Sequence, residues 1–154
     1  QGDHGLVYLR GRDLSFIREM FGGRNRPYRV YGLGELPPEG NLTFRPKSNR
    51  GFIKDLASSA YVAAGAGHNT LSEALYFGKP VLAFPTAMFF EQYLNAWFLK
   101  KLGLGMFSLA PQGEPGLLKH FENELEAMRG KAAEGAFDGN RAVAQRINTL
   151  LAAL

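Results

Sequence analysis

The chain has 154 residues, a net charge of +4, and a composition that is 45% hydrophobic and 21% charged, which is that of one globular domain. With no cysteine, disulfides and cysteine metal sites are excluded, and the three histidines, His4, His68 and His120, are far apart without metal-ligand spacing. No dense Lys/Arg run interleaved with aromatics marks a nucleic-acid surface, no apolar run nears the ~20 residues of a membrane span, and no signal-peptide pattern opens the chain.

"GLVYLR" (Gly5 to Arg10) is a short apolar run and reads as a buried strand. Asp13 then caps "DLSFIREMFGG", in which Leu14, Ile17, Met20 and Phe21 share one helical face and Gly22-Gly23 stop the helix. "RNRPYR" (Arg24 to Arg29) reads as solvated loop and strand edge. Strands follow at Tyr28 to Gly32 and Asn41 to Pro46, on either side of a Pro/Gly loop. Gly51 to Ser59 reads as a short helix and "AYVAAG" as a fourth strand. A helix from about Asn69 to Phe77 ends at Gly78, and Pro80 to Pro85 is a fifth strand.

Glu91 to Gly103 reads as a helix with Leu94, Trp97, Phe98 and Leu102 on its apolar face. Leu104 to Leu109 reads as a sixth strand, and two helices close the chain, about Gly116 to Met128 and Asn140 to Leu154. The last places Val143, Ile147, Leu150, Leu151 and Leu154 on one stripe. Short apolar strands alternating with helices predict an α/β fold: a doubly wound, Rossmann-like parallel sheet of about six strands with helices on both faces. Ligands of such folds bind at the carboxyl ends of the strands, near a switch in strand order.

Glycine is the outlier of the composition, 19 of 154 residues or about 12%, against a usual ~7%. Three glycines lie in "AGAGHNTLSEALYFGKP", Ala64 to Pro80, after the fourth strand. Two readings stand there. One is a tight strand-to-helix turn. The other is a cradle in which Gly65, Ala66 and Gly67 let a phosphorylated ligand approach the backbone and the N-terminus of the next helix. Thr70 and Glu73 have the spacing of a capping box. Alternatively Asn69 caps the helix, leaving Glu73 to accept the hydroxyls of a ribose diol. His68 reads as a loop histidine or a phosphate contact. Glu91, Gln92 and Asn95 share a helix face and could read sugar hydroxyls, though an acidic residue at a helix N-terminus is favourable by itself. Met88, Phe89 and Phe90 either fold back onto the core or stand at the mouth of a site.

"AGAGHNTLSEALYFGKPVLAFP" followed by "FEQYLNA" resembles the donor-binding signature of GT-B glycosyltransferases. It is similar to the families of the peptidoglycan N-acetylglucosaminyltransferase and the UDP-glycosyltransferases. Ala66-Gly67, Thr70, Glu73, Gly78 with Pro80, Pro85, Glu91-Gln92 and Asn95-Ala96 stand in the family's order and register, and "GFIKDLASS" resembles the helix before its turn. The resemblance covers roughly Asn41 to Gly105.

The resemblance implies a role for each matched residue. Glu73 would hold the nucleotide ribose. Gly65, Ala66, Gly67, His68 and Thr70 would receive the diphosphate. Phe52 and Ile53 would meet the base. Glu91 and Gln92, with Asn95 on the same face, would contact the donor sugar. Relatives have a Gly/Ser-rich phosphate loop after the first strand. This chain has "LRGRD" instead, where Arg10 and Arg12 either replace that loop by charge or are ordinary surface arginines. The implied function is the donor-binding domain of a glycosyltransferase using a nucleoside-diphosphate sugar, UDP-linked by analogy, with no cofactor and no metal. The implied partner is an N-terminal acceptor domain outside residues 1–154, so the chain, which starts at Gln1, reads as a fragment or one subunit of a split enzyme. In the families it resembles the acceptor site and usually the catalytic base lie on that N-terminal domain, so no catalytic residue is assigned in this chain and the fragment alone is expected to transfer no sugar. The location expected is cytoplasmic, with any peripheral membrane contact made through the missing part. A nucleotide-sugar epimerase domain and a binding subunit that acts only with a partner are the alternatives. A dinucleotide-binding domain fits worse, because "YLRGRD" lacks its glycine spacing.

Overall fold

Each apolar run expected to be a strand forms one, trimmed at its ends. The computed structural model describes residues 2–86, 88–110, 112–135 and 137–153. Its strands are β1 (Gly5–Tyr8), β2 (Tyr28–Tyr31), β3 (Leu42–Arg45), β4 (Tyr61–Ala64), β5 (Val81–Ala83) and β6 (Gly105–Phe107). Its helices are α1 (Leu14–Phe21), α2 (Asn49–Ser58), α3 (His68–Tyr76), α4 (Phe90–Lys101), α5 (Leu117–Asn123), α6 (Leu125–Glu134) and α7 (Gly139–Leu151). The strands make one sheet in the order β3-β2-β1-β4-β5-β6, with every neighbouring pair parallel. The order turns back on itself between β1 and β4, the place where a doubly wound sheet opens a crevice.

The period of two along each strand sends alternate residues into two cores. Val7, Val30, Phe44, Ala63 and Leu82 pack on one face with Phe16, Ile17 and Met20 of α1 and Leu118 and Phe121 of α5. Leu6, Val62, Ala64, Val81 and Ala83 pack on the other with Leu56 of α2, Leu71 of α3 and Leu99 of α4. Burying one such large side chain contributes about 1.5–3 kcal/mol, so both faces must be covered. This is the α/β sandwich expected from the alternation.

Three expectations need correction. The stretch 116–128 is not one helix: α5 ends and α6 starts around Glu124, whose φ of −92° and ψ of 3° break the helical path. On α4 the apolar stripe Leu94, Trp97, Phe98 and Leu102 faces solvent. Its inner side is made instead by Ala96, small enough to bring the helix close, and Leu99. On α7 the stripe Val143, Ile147, Leu150 and Leu151 is exposed and no residue of the helix is buried; Leu154 lies outside the described residues. Of the two readings left open for Met88, Phe89 and Phe90, folding back onto the core is the one that fails, because all three are exposed; Ala87 beside them is also outside the described residues.

Candidate functional site

Tyr8 and Ala64 are register partners on β1 and β4. The two chains leaving the sheet at the crevice are therefore Leu9-Arg10 and Gly65-Ala66-Gly67, side by side. Ala66 is fully buried with φ +62°, the one positive-φ residue other than glycine among those described. That conformation is costly for a residue with a Cβ. It is held in place from α4: Asn95 Nδ2 donates to the Ala66 carbonyl over 3.1 Å.

The flanking glycines show the opposite pattern. Gly67 has φ −68° and ψ 138°, which any residue adopts, and a Cβ on it would meet nothing within 4 Å. A Cβ on Gly65 would meet only Phe84 O at 3.9 Å and Gln92 Oε1 at 4.0 Å, ordinary contacts. The fold alone would accept a side chain at both. The glycines keep a backbone surface bare where the fold has no use for bareness.

Gly67 is also the N-cap of α3, without a side-chain capping bond. The helix therefore starts at His68, earlier than either expected cap, because the strained Ala66 turn delivers the chain already aimed into it. Thr70 and Glu73 both lie inside the helix, so no capping box forms. The first-turn N–H groups of α3 point outward without a capping side chain, adding partial positive charge at the crevice.

Two lobes of a cleft meet over this turn. The first, about 470 Å³, is lined by Tyr8, Arg10, Gly65, Gly67, His68, Asn69, Thr70, Thr86, Glu91 and Gln92. The second, also about 470 Å³, shares Tyr8, Arg10, Asn69 and Thr70, and adds Tyr31, Lys47, Phe52 and Glu73. Among the described residues neither Arg10 nor Lys47 has an ion pair. Gln92 Oε1 accepts from the Thr86 N–H over 2.9 Å, which fixes its amide beside Gly65. The edge of Phe52 meets Tyr8 at 5.3 Å and Tyr31 at 5.2 Å between ring centroids, forming an aromatic wall.

Behind that wall lies a buried charge. The Asp55 carboxylate accepts from Arg29, from Tyr31 Oη over 2.7 Å, and faces Arg45 Nε at 3.4 Å. Burial, then the hydrogen bond to Asp55 and its charge, push the Tyr31 phenol well above its ordinary value. The phenol stays a donor, and α2 with Phe52 is tied to β2 and β3.

The site residues proposed from sequence are thus mostly brought together. Arg10, Gly65, Gly67, His68, Thr70, Glu91 and Gln92 line the first lobe, and Phe52 and Glu73 the second. Ala66 sits buried within the turn and Asn95 lies behind it, donating to the Ala66 carbonyl, so both shape the turn without lining either lobe. Ile53 is on α2 but lines neither lobe. Arg12 lies apart, with its guanidinium 4.8 Å from the Phe16 ring centroid, in a separate hollow with Asp13 and Glu19. Tyr8, Tyr31, Lys47 and Thr86 were not singled out by the sequence. Tyr8 ends β1, one of the two strands at the switch point, and Tyr31 ends its neighbour β2, positions that could have flagged them; Lys47 and Thr86 carry no such signal.

Residues 1–126 match the family model described as glycosyl transferase family 1. An uncharacterised glycosyltransferase of Methanosarcina acetivorans is 41% identical over 66 residues, covering 39% of this chain and 17% of that protein. The solved spinosyn forosaminyltransferase SpnP aligns with a TM-score of 0.76 and 13% identity, over 99% of this chain and 44% of that one. UGT2 of Phytolacca americana, complexed with UDP-2-fluoro-glucose and pterostilbene, aligns with a TM-score of 0.66 and 20% identity, over 86% of this chain and 36% of that one. At such identities the structural likeness shows the fold alone. The chain spans less than half the length of these solved relatives.

Proposed function

The chain belongs to glycosyl transferase family 1, and we propose that it is the donor-binding domain, which holds a nucleoside-diphosphate sugar for transfer to an acceptor. The observation that carries the reading is the turn itself. Glycine stands at 65 and 67 where the fold tolerates a side chain, and a strained alanine between them aims an uncapped helix N-terminus into the cleft. A diphosphate fits such a surface: it needs close approach to backbone N–H groups and gains from the helix dipole. Arg10 adds a cation on the side of β1.

In this reading the second lobe takes the nucleoside. The base lies against Phe52 and the ribose diol gives its hydrogens to Glu73. The first lobe takes the sugar, with Glu91 and the Gln92 amide nitrogen facing its hydroxyls. During transfer the bond from the anomeric carbon to the diphosphate oxygen breaks while a bond to the acceptor nucleophile forms. Negative charge then grows on the departing diphosphate, and the α3 N–H groups and Arg10 are aimed where it develops. The remaining polar contacts orient the anomeric carbon. The acceptor site and catalytic base belong, in this reading, to a further domain or partner, so the 154-residue chain binds donor without turnover.

Calorimetric titration with UDP, dTDP, UMP and uridine tests the proposal. Nucleoside diphosphates should bind, and removal of the β-phosphate should weaken binding at least tenfold. Equal affinity for UDP and uridine would mean that the turn holds no diphosphate.

A further inference from the structure

Phe90, Leu94, Trp97 and Phe98 stand at the i, i+4, i+7, i+8 spacing of one helical stripe on α4, and they are 74%, 39%, 39% and 45% exposed. Ala96 and Leu99, on the opposite side, hold the helix to the sheet. The stripe is thus apolar on the wrong side for folding. Met88 and Phe89, also exposed, carry it back toward Thr86 and Glu91 at the first lobe. A contiguous apolar surface of this kind marks a contact made with something else.

The far end of the stripe is cationic. Lys101 Nζ lies 4.8 Å from the Trp97 ring centroid and Lys100 Nζ 5.8 Å from that of Phe107. Lys131 of α6 reaches the same end, since a Cβ on Gly103 would lie 2.7 Å from its Nζ. Among the described residues none of the three lysines forms an ion pair, although Lys100 and Lys131 share the hollow beside Phe107 with Glu114 and Glu124, which leaves Lys101 the cation nearest the stripe. The only acidic residue of α4 is Glu91, at the other end of the helix.

We propose that the outer face of α4 seats on an anionic bilayer surface, with Trp97 and Phe98 at the boundary of headgroups and acyl chains and Lys100 and Lys101 on lipid phosphates. Aromatic rings whose rims carry cationic tips suit that boundary, where one side is apolar and the other wet. Protein interfaces are depleted in lysine, whereas unpaired lysines complement anionic headgroups directly. Among the described residues no helix is long and apolar enough to cross a membrane, so the contact is interfacial. It is made by this chain rather than by a missing part, and it does not depend on the donor-site reading.

Trp97 is the only tryptophan of the chain, so its emission reports on the stripe alone. The 154-residue chain is titrated with vesicles of phosphatidylglycerol and phosphatidylcholine, and with phosphatidylcholine alone, following emission and co-sedimentation. The expected result is a blue shift and sedimentation with the anionic vesicles, and quenching by lipids brominated high on the acyl chain. Each of Lys100→Gln and Lys101→Gln should weaken partition by about fivefold. Trp97→Ser/Phe98→Ser should abolish sedimentation with the melting temperature and UDP affinity kept. Should that variant fail to fold, the lysine variants carry the test. No shift with anionic vesicles, equal partition to zwitterionic ones, or binding that survives the serine variant would overturn the proposal. So would a shift that follows protein concentration without lipid, which would assign the stripe to self-association.

Discussion

Replacing Glu73 by Gln isolates the carboxylate that the donor-site reading assigns to ribose. Glu73 sits inside α3, half-buried and lining the second lobe. Its side chain has no hydrogen bond or ion pair to the described residues, and α3 is capped at Gly67 without it. Glutamine keeps the shape and nearly the helix propensity. Stability should therefore stay within about 0.5 kcal/mol, or roughly 1–2 °C in melting temperature for a domain of this size. Binding should respond differently. A carboxylate that accepts ribose hydroxyls makes charge-assisted bonds, and their loss is about 1.5–3 kcal/mol, a rise in Kd of about 10- to 150-fold. Calorimetric titration of Glu73→Gln and the parent chain with UDP reads this directly. With 2′-deoxy-UDP the difference between the two proteins should shrink, because one of the two donors is gone. Unchanged UDP affinity together with a lowered melting temperature would refute the ribose role and leave Glu73 a structural residue.

Three further outcomes follow from the geometry. Gly65→Ala should fold with an unchanged melting temperature, since its Cβ meets only ordinary contacts, yet weaken UDP binding at least tenfold; normal binding would show that nothing approaches that backbone. Asn95→Ala removes the hydrogen bond to the Ala66 carbonyl and should cost about 1 kcal/mol, seen by scanning calorimetry as roughly 2–4 °C, with a parallel loss of UDP affinity; stability lost with affinity intact would separate the turn from the ligand. His4 is buried with Nε2 3.0 Å from the Asp55 carbonyl, and burial lowers its pKa from 6.5. The unfolded chain then takes the proton first, so His4's contribution is full above about pH 6.5 and is lost as the pH falls below it. Melting temperatures of the parent chain should fall more steeply over that window than those of His4→Gln; parallel curves would rule the contribution out.

The strands were legible because each is a short apolar run bounded by glycine or proline, and the crevice followed from alternation with helices. Strand order was not legible, since nothing local tells β4 to lie beside β1. Helical stripes were legible as stripes, but periodicity cannot say which side meets the sheet. On α4 the inner side is carried by Ala96, Leu99 and the polar Asn95, while larger residues face outward. The start of α3 was legible to within one residue, but its cap was not: Thr70 and Glu73 match a capping pattern, whereas the helix is capped at Gly67 by a turn shaped by Ala66 and a distant Asn95. That contact spans 29 residues, beyond any local rule. Gly65 and Gly67 were legible as glycines, but only the space around them separates a turn requirement from a binding surface. Arg10 and Arg12 were equivalent by sequence; the direction of the chain after β1 puts one in the cleft and the other over Phe16.

Amide chemical-shift mapping with UDP shows whether the turn between β4 and α3 holds a diphosphate. A ¹⁵N-labelled chain titrated with UDP, and separately with uridine, should show its largest UDP-specific changes at the amides of Gly65, Gly67, His68, Asn69 and Thr70. Residues such as Phe52 and Glu73 should respond to both ligands. UDP-specific shifts centred on the hollow of Lys100, Phe107 and Lys131, with the glycine turn silent, would contradict it.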